Sequence, residues 1–158
     1  MAKEANTAKP ADFKTNMNQL EKVLDLYLRQ KAPALPKNIK EIIVKFSPYI
    51  ILIMLIISLP AILAVLGIGT LLTPFSYLGG IHYGFSYILG LLVLAASLVL
   101  EVIALPGLFK QKKQAWSLVY YSTLINAVHS LLIFNLGSLI IGTLISLYIL
   151  FQIKEYYK

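Results

Sequence analysis

No Asp, Glu, Lys or Arg occurs between residues 47 and 100, and none occurs between residues 114 and 153. Water-soluble helices carry charge on their solvent face and do not leave such gaps. A bilayer requires them, because a spanning helix needs about 20 apolar residues and an unpaired charge in hydrocarbon is costly. The chain is therefore expected to be an integral membrane protein, and its 158 residues, 58% of them hydrophobic, suit one helical unit.

The 14 Lys and Arg residues fall into three stretches: residues 1–46, the Lys110, Lys112, Lys113 turn, and Lys154 with Lys158. In a soluble chain the formal charge of +7 would suggest nucleic acid. Here its location matters more, and no nucleic-acid partner is expected. Lys and Arg concentrate on the cytoplasmic side of membrane proteins, so alternately basic and uncharged connections place both termini in the cytoplasm. The first apolar run begins only after residue 46, too late for the short apolar core of a cleavable signal peptide. With no organelle address visible, the plasma membrane is the expected location. The absence of Cys excludes disulfides and sulfur-ligated metals.

The tail MAKEANTAKP is polar and ends in Pro, so no structure is assigned to it. Phe13, Met17, Leu20, Leu24 and Tyr27 then recur at spacings of 4, 3, 4 and 3, the stripe of an amphipathic cytoplasmic helix or a short coiled-coil seam, with Asp12 as its cap. Pro33 and Pro36 end it. A short interfacial helix is predicted over residues 37–46, with Lys37, Lys40 and Lys45 meeting lipid headgroups beside Ile39, Ile42, Ile43 and Phe46. Residues 1–46 thus form one segment and residues 47–158 a transmembrane domain.

Four spans are predicted in that domain, over about 48–67, 85–105, 116–136 and 138–153. Ser47 and Pro48 open the first, which Pro60 should kink. Residues 68–84 carry aromatics and glycines without charge, so an irregular outer loop is expected there. Pro106 and Gly107 end the second span. The basic turn, with Lys110, Lys112 and Lys113 near lipid headgroups, leads to Trp116 at interfacial height. Asn135, Gly137 and Ser138 turn the chain into the last span, with Tyr156 and Tyr157 anchoring its end.

Three groups of residues can carry interactions or chemistry. Ser138, Gly142 and Ser146 form a stripe of small residues on span four, the pattern by which membrane helices approach closely; intramolecular packing is its first reading and a subunit interface its second. Gly90, Ser97 and Glu101 make a similar face on span two. Glu101 is the only acid within an apolar run, near the cytoplasmic boundary, where it either pairs with the basic turn or a nearby hydroxyl or serves as a proton or ion carrier. Ser122, Asn126 and His129 give span three one polar side, suited to interhelical hydrogen bonds or to a solute pathway. His82 is the only possible His partner for His129, so neither a metal nor another cofactor is expected.

Phosphate loops, zinc-binding His and Glu patterns and nucleophile elbows are all missing, so no catalytic residue is assigned and an enzyme is not expected. The order LPGLFKQKKQAW, then a polar-striped span, then SLYILFQIKEYYK, over residues 105–158, resembles small uncharacterised prokaryotic membrane proteins with four spans. The resemblance implies no catalytic residue. The fold expected is an all-α, four-transmembrane-helix bundle with an N-terminal cytoplasmic amphipathic helix and a short interfacial helix. A non-enzymatic structural or interaction module is the leading function, with membrane lipids and either a second copy or another membrane protein as partners. The alternative is a small transporter or channel-like subunit using Glu101, Ser122, Asn126 and His129.

Overall fold

The computed structural model describes residues 10–158, so the tail MAKEANTAK and the Phe13 side chain lie outside the described residues. The chain divides into two compact units, residues 1–34 and residues 35–158. All regular structure among the described residues is helical.

The first unit contains helix α1, Pro10–Asp25, which runs on as a π-helical turn over Leu26–Lys31. Asp12 lies inside this helix and not at a cap, since Pro10 and Ala11 before it are already helical. Asp25 pairs with Arg29 at 3.2 Å, and the Lys31 ammonium sits 4.5 Å from the Tyr27 ring centre. Leu20 and Tyr27 of the predicted stripe are exposed.

The second unit is built from three long helices and a shorter one. Helix α2 runs without interruption from Lys37 to Ser76 and contains Pro48, Pro60 and Pro74. A separate interfacial helix over 37–46 is therefore not formed, and the first span has no start of its own at residue 48. Continuity is possible because the carbonyl of Val44, which loses its partner to Pro48, accepts the Ser47 hydroxyl at 3.4 Å. Residues 68–76, expected as loop, are helical too. The connection shrinks to a single 3₁₀ turn, Tyr77–Gly79, and to Gly80, whose φ of 103° only glycine adopts readily.

Helix α3, Ile81–Phe109, is longer than the 85–105 predicted and passes through Pro106 and Gly107. Helix α4 covers Lys113–Leu132, ending four residues earlier than expected. The last helix starts as a π-helical segment, Ser138–Thr143, and continues as α5, Leu144–Gln152, with a final 3₁₀ turn at Lys154–Tyr156. Helix α3 packs along α2 on one side and α4 on the other.

Two helical stretches, Leu59–Gly79 and Ile81–Phe109, are long and apolar enough to cross a membrane, where four had been expected. The reasons lie in the other two helices. Helix α4 is diluted by its polar side, and Ser138–Gln152 extends only about 22 Å at 1.5 Å per residue, against a hydrocarbon core of about 30 Å.

Both turns flanking α4 are Schellman motifs closed by a residue other than glycine. At the first, Lys112 N–H bonds Gly107 O at 2.8 Å and Gln111 N–H bonds Leu108 O at 3.1 Å, with Gln111 at φ 50°. At the second, Asn135 N–H bonds Ser130 O at 2.8 Å and Phe134 N–H bonds Leu131 O at 3.1 Å, with Phe134 at φ 53°. Asn135 then accepts the Ser138 N–H through its side chain, which opens the last helix.

At one end of this unit the start of α2, the α3–α4 turn and the C-terminal residues are tied together. Lys113 N–H bonds Lys158 O at 2.8 Å, and Lys158 N–H bonds Gln111 O at 2.9 Å. The Lys40 ammonium meets Glu155 at 3.2 Å, the Ser47 and Tyr157 hydroxyls lie 3.4 Å apart, and the enclosed Gln152 accepts the Leu35 N–H. Lys40 is thus turned into the protein, apart from exposed Lys37 and Lys45. The basic turn does stand exposed at Lys110, Lys112 and Lys113.

Under this end lies the tightest core. Trp116, 1% exposed, stacks on Tyr120, meets Phe151 edge-on and donates its indole N–H to Leu150 O at 2.9 Å. The Lys154 ammonium covers the indole at 5.1 Å. Trp116 is consequently a core residue and not a member of an exposed interfacial belt. Tyr157 is buried as well, 5% exposed.

Candidate functional site

Helices α3 and α4 are joined by so short a turn that they run antiparallel, and this sets the polar face of one against the polar face of the other. Four pairs follow one another along the seam. A Cβ on Gly107 would stand 2.7 Å from that of Ala115, so only glycine lets the helices close there. Next, Glu101 and Ser122 border the same groove. One turn further, the Asn126 amide donates to Ser97 Oγ at 2.8 Å and to Ser122 O at 2.9 Å. At the far end, His129 Nε2 lies 3.7 Å from where a Cβ on Gly90 would sit. The Gly90, Ser97, Glu101 face and the Ser122, Asn126, His129 face thus meet in register.

Such contacts satisfy polar groups that helix packing takes away from water. Glu101 is half-buried, and among the described residues no basic side chain comes within ion-pair distance of it. The ion pair expected between Glu101 and the basic turn is not formed among the described residues. The basic side chains sit beyond the end of α3, pointing outward.

The seam does not seal its polar groups. Ser122 is buried at 3% exposure, but Asn126 is exposed and His129 half-buried. All three, with Glu101, line a groove of about 480 Å³ between α4 and the last helix. Its opposite wall carries Ser138, Gly142 and Ser146, each exposed. The small-residue stripe is therefore not consumed by packing within the chain, although Ser138 accepts a hydrogen bond from Ser130 at 3.3 Å. Its first half is π-helical, a geometry often found at functional positions.

Two neighbouring cavities share walls with the groove. Glu101 and Asn126 also line a space of about 280 Å³ between α2 and α3, alongside Ser97 and Met54. His129 also faces a larger cavity of about 730 Å³, where His82, Tyr83 and Tyr87 lie. The two histidines share that lining, yet no group of three or more metal-ligating side chains occurs among the described residues. Tyr87 is held by its bond to Gly69 O at 2.9 Å.

Sequence reasoning located the polar groups of both helices but not Gln152, Trp116 and Tyr157 as enclosed anchors. A Gln within the uncharged run ahead of the tail was the available signal for the first. Nothing local marked the others, because their burial depends on contacts made across more than thirty residues. Compared with protein-family models, with curated proteins and with solved structures, the chain matches none.

Proposed function

We propose that this chain is a multi-pass plasma-membrane protein of four spans that works as a non-enzymatic association module, docking a transmembrane helix into the groove between α4 and the last helix. The observation that carries this reading is the uncovered stripe of Ser138, Gly142 and Ser146 facing Asn126 and His129 across that groove. Within lipid, small residues let a partner backbone approach and polar side chains bond it, so an open seam of both kinds favours protein cover.

Four spans are supported by the charge-free runs, with α4 long enough at 20 residues and the short last helix accommodated by local thinning of the bilayer. The 40-residue α2, about 60 Å long, then enters the core only with its apolar part, leaving Lys37 and Lys45 among headgroups. Gathering of the α2 start, the basic turn and the C-terminal residues at one end favours a cytoplasmic position for both termini.

Because the chain has no Cys, a single cysteine at Ser146 gives a clean crosslinking probe in membranes. The reading expects efficient crosslinking to itself or to one protein partner, lost when Gly142→Ile fills the groove. A uniformly monomeric protein, reactive only with small reagents, would sink it. A second reading, a solute-conducting subunit, is favoured by the sharing of Glu101, Asn126 and His129 between adjoining cavities. Flux in proteoliposomes that survives Glu101→Gln unchanged would retire it.

A further inference from the structure

We infer that the stretch of seam around Glu101 and Asn126 binds a single positive charge, carried by an alkali-metal ion or by a small protonated amine. The hydrogen-bond inventory sets the polarity of the site. Both N–H groups of the Asn126 amide are engaged, one by Ser97 Oγ at 2.8 Å and the other by Ser122 O at 2.9 Å. Its Oδ1 is left as an acceptor, with no donor reaching it among the described residues. Glu101 and Asn126 therefore bring one carboxyl and one amide oxygen to the lining of the same two spaces.

Charge balance selects the ligand. Glu101 and Asn126 border both the groove and the smaller α2–α3 cavity, and no Lys or Arg lines either. A carboxylate away from bulk water needs a compensating charge close by, and none of the described basic side chains provides it. With one acid only, the complement is monovalent; a divalent ion would call for several carboxylates. Thr123, Ser130 and Ser146 add hydroxyl oxygens to the same lining. The volume of about 480 Å³ leaves room for a partly hydrated ion or for an organic ammonium. This site goes beyond the association reading and does not depend on it.

The test uses the purified full-length protein in detergent micelles. Thermal unfolding is followed while sodium, potassium or methylammonium chloride is titrated at constant ionic strength against tetraethylammonium chloride, which is bulky and has no N–H. The expected result is a saturable rise in Tm with at least one of the three, and an apparent affinity about tenfold weaker or worse in Glu101→Gln. A response confined to sodium or potassium assigns a metal ion; one confined to methylammonium assigns an amine. No saturable response, or one undiminished in Glu101→Gln, overturns the site. Should that variant not fold, the wild-type protein decides alone: saturable broadening of the sodium NMR line, or a saturable potassium or methylammonium effect on Tm, is expected, and the absence of all three overturns the site. Loss of the Ser146 crosslink with the cation response intact would remove only the association reading.

Discussion

The side-chain oxygen of Gln152, enclosed in the core, accepts the backbone N–H of Leu35 at 3.1 Å, joining positions 117 residues apart. That bond fastens the segment ahead of α2 to the end of the last helix. Deleting an enclosed hydrogen-bonding partner typically costs about 1–3 kcal/mol, because the remaining group loses water without compensation. Gln152→Leu, close in volume, is expected to lower stability by that amount and to loosen the start of α2. Thermal unfolding in micelles and amide exchange at Leu35 check it.

Trp116 is the only tryptophan of the chain and is 1% exposed. Its fluorescence should be blue-shifted and resistant to aqueous quenchers in the native protein. Trp116→Phe keeps much of the ring packing but loses the bond to Leu150 O and weakens the Lys154 contact, so a loss of about 1–3 kcal/mol is expected from chemical denaturation.

The Asn126–Ser97 bond crosses the α3–α4 seam, and polar pairs in membrane proteins are worth about 0.6–2 kcal/mol. A double-mutant cycle with Ser97→Ala and Asn126→Leu should return a coupling energy within that range. A coupling near zero would mean that the seam is held by glycine packing alone.

Gln111 and Phe134 hold left-handed backbone at the two Schellman turns, a conformation that L residues with a Cβ enter at a cost of about 1–2 kcal/mol. Glycine removes that cost and gives back part of it through a more flexible unfolded chain. Gln111→Gly is expected to raise stability by up to about 1 kcal/mol, read as an increase in Tm. Ordinary helix-interior Gly substitutions should do the opposite.

Burial pushes the Tyr157 hydroxyl above its ordinary pKa, with the Ser47 hydrogen bond pulling the other way. A pKa raised on folding means that the native state favours the protonated phenol, so its contribution is fully present below about pH 10, the unfolded value, and is lost as pH climbs through the folded one. The wild type should lose stability on the alkaline side more steeply than Tyr157→Phe. Parallel alkaline limbs for the two proteins would contradict this.

The chemistry of the α3–α4 seam was legible in the residues before any coordinates. Gly90, Ser97 and Glu101 on one helix and Ser122, Asn126 and His129 on the next each share a face by helical spacing, and the short connection makes the two helices antiparallel. Register could not be read, since it depends on where the turn ends, and a Gln in left-handed conformation gives no signal of its own. The prolines misled for a related reason. Pro48 and Pro106 mark helix ends by local preference, but Ser47 relieves the carbonyl freed by Pro48, and passing Pro106 lets α3 set Gly107 against Ala115 and bury Leu108.

Periodicity and the placement of charge determined by themselves that the described residues are helical, that the apolar runs exclude charge and that the polar residues form stripes. These properties are local or compositional, and the backbone's hydrogen-bonding needs leave few alternatives once water is scarce. Only the tertiary structure decided that Lys40 turns inward to Glu155, that Gln152 receives Leu35, and that Ser138, Gly142 and Ser146 border an open groove instead of a packed seam. Those outcomes rest on distances between residues far apart in the chain, which are set by how whole helices cross and not by any segment's own preferences.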